Sequence, residues 1–205
     1  MLNNTTEIKS DEKRLELYSE NHPFRLSLRI SKFEAEAEYK SFIKNCEKLV
    51  RGSVEYKLWK DYIKDVLGLN SCFITEETMD TCTLETHHHV PTLYQVVKAV
   101  IHKKMNIEEP FSTFDVCLET IELHFQNKIG YVCLISSMHE KLHAGFLKIP
   151  KELIHGNYSQ FISEYGQYLD DEDMNQIFEK LAVEEGNTSW SKDNYPGLVE
   201  YGNNR

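Results

Sequence analysis

Apolar side chains recur at intervals of three and four residues through four stretches of this chain, whereas alternation at period two is confined to short segments. Tyr39, Phe42, Ile43, Cys46 and Val50 form the first stripe, and Tyr56, Trp59, Ile63, Val66 and Leu67 the second. Gly52-Ser53 interrupts them. A serine hydroxyl can satisfy a free amide at a helix start, and a glycine tolerates the left-handed backbone that ends one, so Ser53 and Gly68 bracket the second helix. Leu93, Val96, Val97, Val100 and Ile101 follow a Thr92 cap, and Phe114, Cys117, Leu118, Ile121 and Phe125 mark a helix from Thr113 to about Phe125. Each stripe asks for a partner surface, so the chain is predicted to form a mainly helical body. At 205 residues it can bury one substantial core, with or without a small appendage.

The strand-like segments are fewer. FRLSLRI (24–30) alternates, with Phe24, Leu26 and Leu28 on one face. CFI and CTLETHHHVP, between Ser71 and Pro91, read as two short strands with EETMD as their turn. YVCLI (131–135) is a strand or an extended approach to a helix that begins near Ser136 and stops at Gly145. A short helix around Glu12–Tyr18, a helix within 154–169, an acidic helix over 170–185 and an irregular segment 186–205 complete the reading. The fold class is α+β. Residues 1–69 form an N-terminal strand and helical region, 70–150 a core with a helical insertion at about 92–126, and 151–205 an acidic helical extension.

The formal net charge is −10, which opposes general capture of nucleic acid. The charge is uneven: residues 151–205 carry eleven acidic and four basic side chains, leaving −3 on residues 1–150. The acidic helix is expected to cover a surface or meet a protein partner. No apolar run is long enough to span a membrane, and the polar start MLNNTTEIKSDEKR is not a signal peptide. Five cysteines without C-x-x-C spacing imply reduced, mostly buried thiols and a cytoplasmic location.

Five of the nine histidines fall in two groups, His87-His88-His89 and the pair His139 and His143. Neighbouring side chains on a strand point to opposite faces, so a regular strand cannot aim all three of the triplet at one ion. His139 and His143, four apart on a helix, share a face. The pair plus one residue of the triplet would offer three neutral imidazoles to a metal and leave a coordination position open. His89 is expected to be a supporting or exposed residue, and Glu85 an exposed strand carboxylate, with acceptance of a hydrogen bond from a ligating imidazole as its alternative. Lys98, Lys103, Lys104, Lys128, Lys141 and Lys148 supply positive charge near the histidines.

ETHHHVP followed by LISSMHEKLH resembles the ββα-metal motif of the HNH, or His-Me finger, endonucleases, over roughly residues 70–147. The resemblance implies a small ββα-metal core inside the helical body. It also implies hydrolysis of DNA phosphodiester bonds with one divalent ion, Mg, Mn, Zn or Ni. His88 would be the base that activates water, His87, His139 and His143 the metal ligands, and Asn127 the residue orienting the base. A phage or mobile-element setting is implied as well.

The chain departs from that family in three respects, one being the long segment between the two histidine clusters, with two apparent helices inserted. The tetracysteine zinc brace is reduced to Cys72 and Thr75 in one half and to Ile135 and Met138 in the other. Gly130 occupies the register position of the family's asparagine. The alternative reading is a catalytically inactive HNH-like scaffold acting in protein interaction or regulation, and a third is an unrelated regulatory or structural protein without metal.

Overall fold

The computed structural model describes residues 29–183. The strand expected at 24–30, apart from its last two residues, the helix near Glu12–Tyr18 and the segment 186–205 lie outside them. Helix α1 (Glu36–Gly52) buries Phe42, Ile43, Cys46 and Val50 against α3 (Leu93–Asn106) and α4 (Thr113–Phe125). Ser53 ends α1 and caps α2 (Val54–Asp61), its hydroxyl accepting from the Tyr56 amide at 3.1 Å. Thr92 and Ser112 form reciprocal capping boxes with Gln95 and Asp115 at the starts of α3 and α4.

Two helical stripes are oriented differently from their expected faces. The chain after α2 widens into a π turn over Tyr62–Val66, closed by the Leu67 amide on the Tyr62 carbonyl at 3.1 Å. The wider turn shifts the angular phase of the residues beyond it, so Ile63 stays buried while Val66 and Leu67 emerge into solvent. On α4 the buried face is Val116, Cys117, Thr120, Leu123 and His124, and Phe114, Leu118 and Phe125 are exposed. The helix is apolar around much of its circumference, and the side facing α1 and α2 wins the core.

The sheet has two strands, β1 (Leu84–Val90) and β2 (Gly130–Ile135). They pair antiparallel from Leu84 opposite Ile135 to His88 opposite Tyr131, then Val90 opposite Gly130, leaving His89 as an extra residue at a bulge. CFI is therefore not the hairpin partner of β1. It lies beside β2 as a loop, the Phe73 amide donating to the Cys133 carbonyl at 2.9 Å, with Ser71 and Thr78 bridging behind it. All six β2 residues are buried, so this strand offers β1 apolar cover on both faces, which the polar-flanked CFI cannot. Helices α3 and α4 form the connection between the strands.

Helix α5 (Ser136–His143) leaves β2 directly and stops where Gly145 takes a φ of +77°. Helices α6 (Tyr158–Tyr165) and α7 (Asp171–Leu181) complete the body, with Ile177 of α7 fully buried and Phe178 exposed. One hydrophobic cluster takes in Ile43, Val96, Leu134, Phe161 and Ile177. Each such side chain contributes roughly 2 kcal/mol by leaving water. The observed class is α+β, mainly helical, with the small sheet set among the helices.

Candidate functional site

The pairing of β1 with β2 brings the two histidine groups together. β2 runs straight into α5, so α5 begins beside the Leu84 end of β1. His87 is partly buried on β1 and reaches His139 on α5, Nδ1 to Nε2 at 2.8 Å. His143, one turn along and exposed, places its Nε2 3.0 Å from the same nitrogen of His139. One ligand atom from each of the three lies within 4.8 Å of the others, a spacing that can hold a metal ion.

Glu85 completes this group. It sits two residues before His87, hence on the same face of the strand. Its Oε2 accepts from His139 Nδ1 at 2.7 Å, and its Oε1 accepts from the Ser136 hydroxyl at 2.7 Å. Of the two readings of Glu85, the exposed strand carboxylate gives way to the acceptor of an imidazole N–H, tied also to the first residue of α5. Period-two spacing from His87 was the signal for it. Burial, then the neighbouring imidazoles His89, His139 and His143, hold His87 down to about 2, so its ring is neutral. His143 is lowered as well, by burial and by His139.

Beside the cluster opens a cleft of about 410 Å³, walled by β1, α5 and the basic side chains Arg51, Lys60 and Lys64. His88 touches its inner wall but is only 4% exposed. Its ring stacks on Tyr56 and Trp59, with centroids at 5.8 and 5.7 Å, and its Nε2 meets Nε2 of buried His124 at 2.8 Å. His124 is in turn held by the Thr120 carbonyl at 2.6 Å. Desolvation is the main reason that both His88 and His124 resist protonation, His124 down to about 4. Its spacing from Cys117 and Thr120 puts His124 on the buried face of α4.

Asn127 does not orient His88. The free nitrogen of His88, Nδ1, has no hydrogen-bond partner among the described residues. Asn127 ends α4 in the left-handed conformation, φ +56°, and its carbonyl accepts from the Asn157 amide at 2.6 Å. Gly130 cannot be replaced by an asparagine, because a Cβ there would lie 2.2 Å from the Val90 carbonyl oxygen. His89 is buried with both ring nitrogens unpartnered, while its carbonyl accepts from Lys180 Nζ at 3.0 Å.

The lysines expected to supply charge near the site are largely paired with carboxylates. Lys98 meets Asp170 and Asp173, Lys103 and Lys104 meet Glu119, and Lys128 meets Glu164. The cysteines are free, and all but Cys82 are buried. No helix among the described residues is long and apolar enough to cross a membrane.

These features define an α+β protein with a three-imidazole cluster on a cleft rim and a fourth histidine locked into the core. The family model of Bacteriophage G278-like virion proteins matches residues 1–195, and the chain belongs to that family. No curated protein and no solved structure matches it.

Membership over nearly the whole chain overturns the HNH, or His-Me finger, resemblance, which rested on residues 70–147. The inferred DNA endonuclease activity falls with it, as do a catalytic Mg, Mn, Zn or Ni cofactor, DNA as substrate, and a protein partner docked on the acidic C-terminal region. Two histidine groups can share a motif's spacing without its chemistry when one of the residues, here His88, is spent on packing. The phage setting agrees with the family.

Proposed function

We propose that the chain is a non-enzymatic structural component of a bacteriophage particle. The observation that carries this reading is the match to a virion-protein family across residues 1–195. The interior is consistent with it: His88, the side chain with the best sequence claim to act as a base, is committed to an aromatic stack and to His124. A side chain 4% exposed has no room for the water it would have to activate. The protein contributes shape and stability to an assembly, and its histidine cluster joins β1 to α5 instead of turning over a substrate.

The test is particle composition. Peptides of this chain should be recovered by mass spectrometry from infectious particles banded on a density gradient, at constant ratio to the major particle proteins across the band. Recovery only from the soluble lysate, with none in the banded particles, would sink this reading.

A further inference from the structure

We propose that His87, His139 and His143 bind one transition-metal ion of the zinc class as a structural clasp between β1 and α5, with Glu85 orienting His139. The proposal concerns binding alone and assigns no reaction. It stands on the geometry of the cluster, independently of the particle role.

His139 gives its Nδ1 proton to Glu85, which leaves Nε2 as an acceptor with one lone pair in the ring plane. Two imidazole nitrogens crowd that one lone pair, His87 Nδ1 at 2.8 Å and His143 Nε2 at 3.0 Å. Protons can serve both contacts only by sharing the single acceptor. A cation among the three nitrogens accepts a lone pair from each, at the ~2.0–2.1 Å characteristic of zinc–imidazole bonds. Small rotations of the rings suffice, because the three atoms already lie within 4.8 Å of one another.

The support around the ligands is that of a metal site. A ligating histidine usually donates its second ring N–H to a carboxylate, which fixes the tautomer and strengthens the ligand. Glu85 does this for His139, and its other oxygen is itself fixed by the Ser136 hydroxyl. An all-imidazole set selects zinc, nickel, cobalt or copper over magnesium and calcium, which want oxygen. Water from the cleft takes the fourth position, on the side where His143 is exposed. His87 and His139 lie 52 residues apart in sequence, so the ion cross-links α5 to the strand.

The experiment uses the full chain, freed of any affinity tag and stripped with EDTA, titrated with Zn²⁺ and separately with Co²⁺ and Mg²⁺. The expected result is one Zn²⁺ per chain by calorimetry, visible Co²⁺ absorption saturating at one equivalent, no heat with Mg²⁺, and a melting temperature raised by Zn²⁺. His139→Ala combined with His143→Ala should weaken binding at least 100-fold, while exposed His155→Ala leaves it unchanged. Glu85→Gln, which keeps the ligands, should weaken binding about 10- to 100-fold at unchanged stoichiometry. Circular dichroism at each step separates loss of ligands from loss of fold. Absence of stoichiometric Zn²⁺ uptake by the folded wild-type chain overturns the proposal, and so does equal uptake by the folded double variant.

Discussion

His88 and His124 meet Nε2 to Nε2 at 2.8 Å inside the core, one from the sheet and one from α4, with Trp59 packed edge-on to His124 at 4.6 Å. The pair joins a strand to a helix because burial keeps both rings neutral, with His88 stacked on Tyr56 and Trp59 and His124 meeting the same two rings edge-on. The pair should therefore behave as core. His88→Ala removes a buried ring and leaves a cavity beside Tyr56 and Trp59, which should cost about 3 kcal/mol. His124→Ala should cost a similar amount. Because each single change already removes the shared hydrogen bond, the double variant should be less destabilised than the sum, by about 1 kcal/mol. Urea unfolding of the four proteins measures this, and strict additivity would mean the two rings do not interact.

The same pair sets a response to acid. An unfolded histidine takes up its proton near pH 6.5, whereas burial delays His124 in the folded chain until about 4. Between those values the unfolded state binds more protons, so the contribution is fully present above about pH 6.5 and is lost as pH falls toward 4. For His124 alone the loss is about 3 kcal/mol. Subtracting the stability profile of His124→Gln from that of wild type over pH 7 to 4 should isolate this slope. Parallel profiles would show that His124 titrates normally in the folded protein.

Much of the fold was legible in the sequence because local chemistry decides it. The Ser53 cap, the Thr92 cap, the left-handed Gly68 and Gly145, and the α1 and α3 stripes depend on residues within one or two turns. The strand partnership did not, because β1 had two possible neighbours and the choice turned on burial of YVCLI, a long-range matter. The faces of α4 and of the turn after α2 were also hidden, one by an excess of apolar positions and the other by a single extra residue in a helical turn. In the site, spacing put His139 and His143 on one helix face but left open which residue of the triplet meets them; that it is His87 depends on the long-range β1–β2 register. The diversion of His88 into the core could not be anticipated, since alternation says only that it faces away from His87.

Gly130 illustrates a position whose meaning came from the structure. Its Cα lies against the end of β1, and a Cβ would lie 2.2 Å from the Val90 carbonyl oxygen and 3.1 Å from side chains of Ile154 and Tyr158. The obstructing oxygen is backbone, so it can yield only by opening the strand pair. Gly130→Ala should cost about 3 kcal/mol, at the upper end of overpacking changes. Gly145 has a positive φ, but a Cβ added there would meet nothing within 4 Å, so Gly145→Ala should cost only about 1 kcal/mol, from backbone strain. Melting temperatures of the two variants check the ranking, and a reversal would mean that the β1–β2 end is more pliant than its contacts indicate.

Glu119 joins three helices through one carboxylate. Lys103 and Lys104 of α3 reach its two oxygens at 2.8 Å each, and the Tyr165 hydroxyl of α6 donates to Oε1 at 2.8 Å. Desolvation pushes this carboxyl up, but the two ammonium groups and the hydroxyl outweigh it and hold it below its usual range. Glu119→Gln keeps the shape and leaves two cations without their counter-charge. The cost should be about 2 kcal/mol at pH 7, between the values for exposed and buried pairs. A depressed carboxylate contributes stability above its unfolded pKa and loses it as pH falls through the folded one. The gap between wild type and Glu119→Gln should therefore narrow below about pH 4.5, as urea unfolding at pH 7 and pH 3.5 can measure. A gap that stays constant with pH would assign the loss to packing instead of charge.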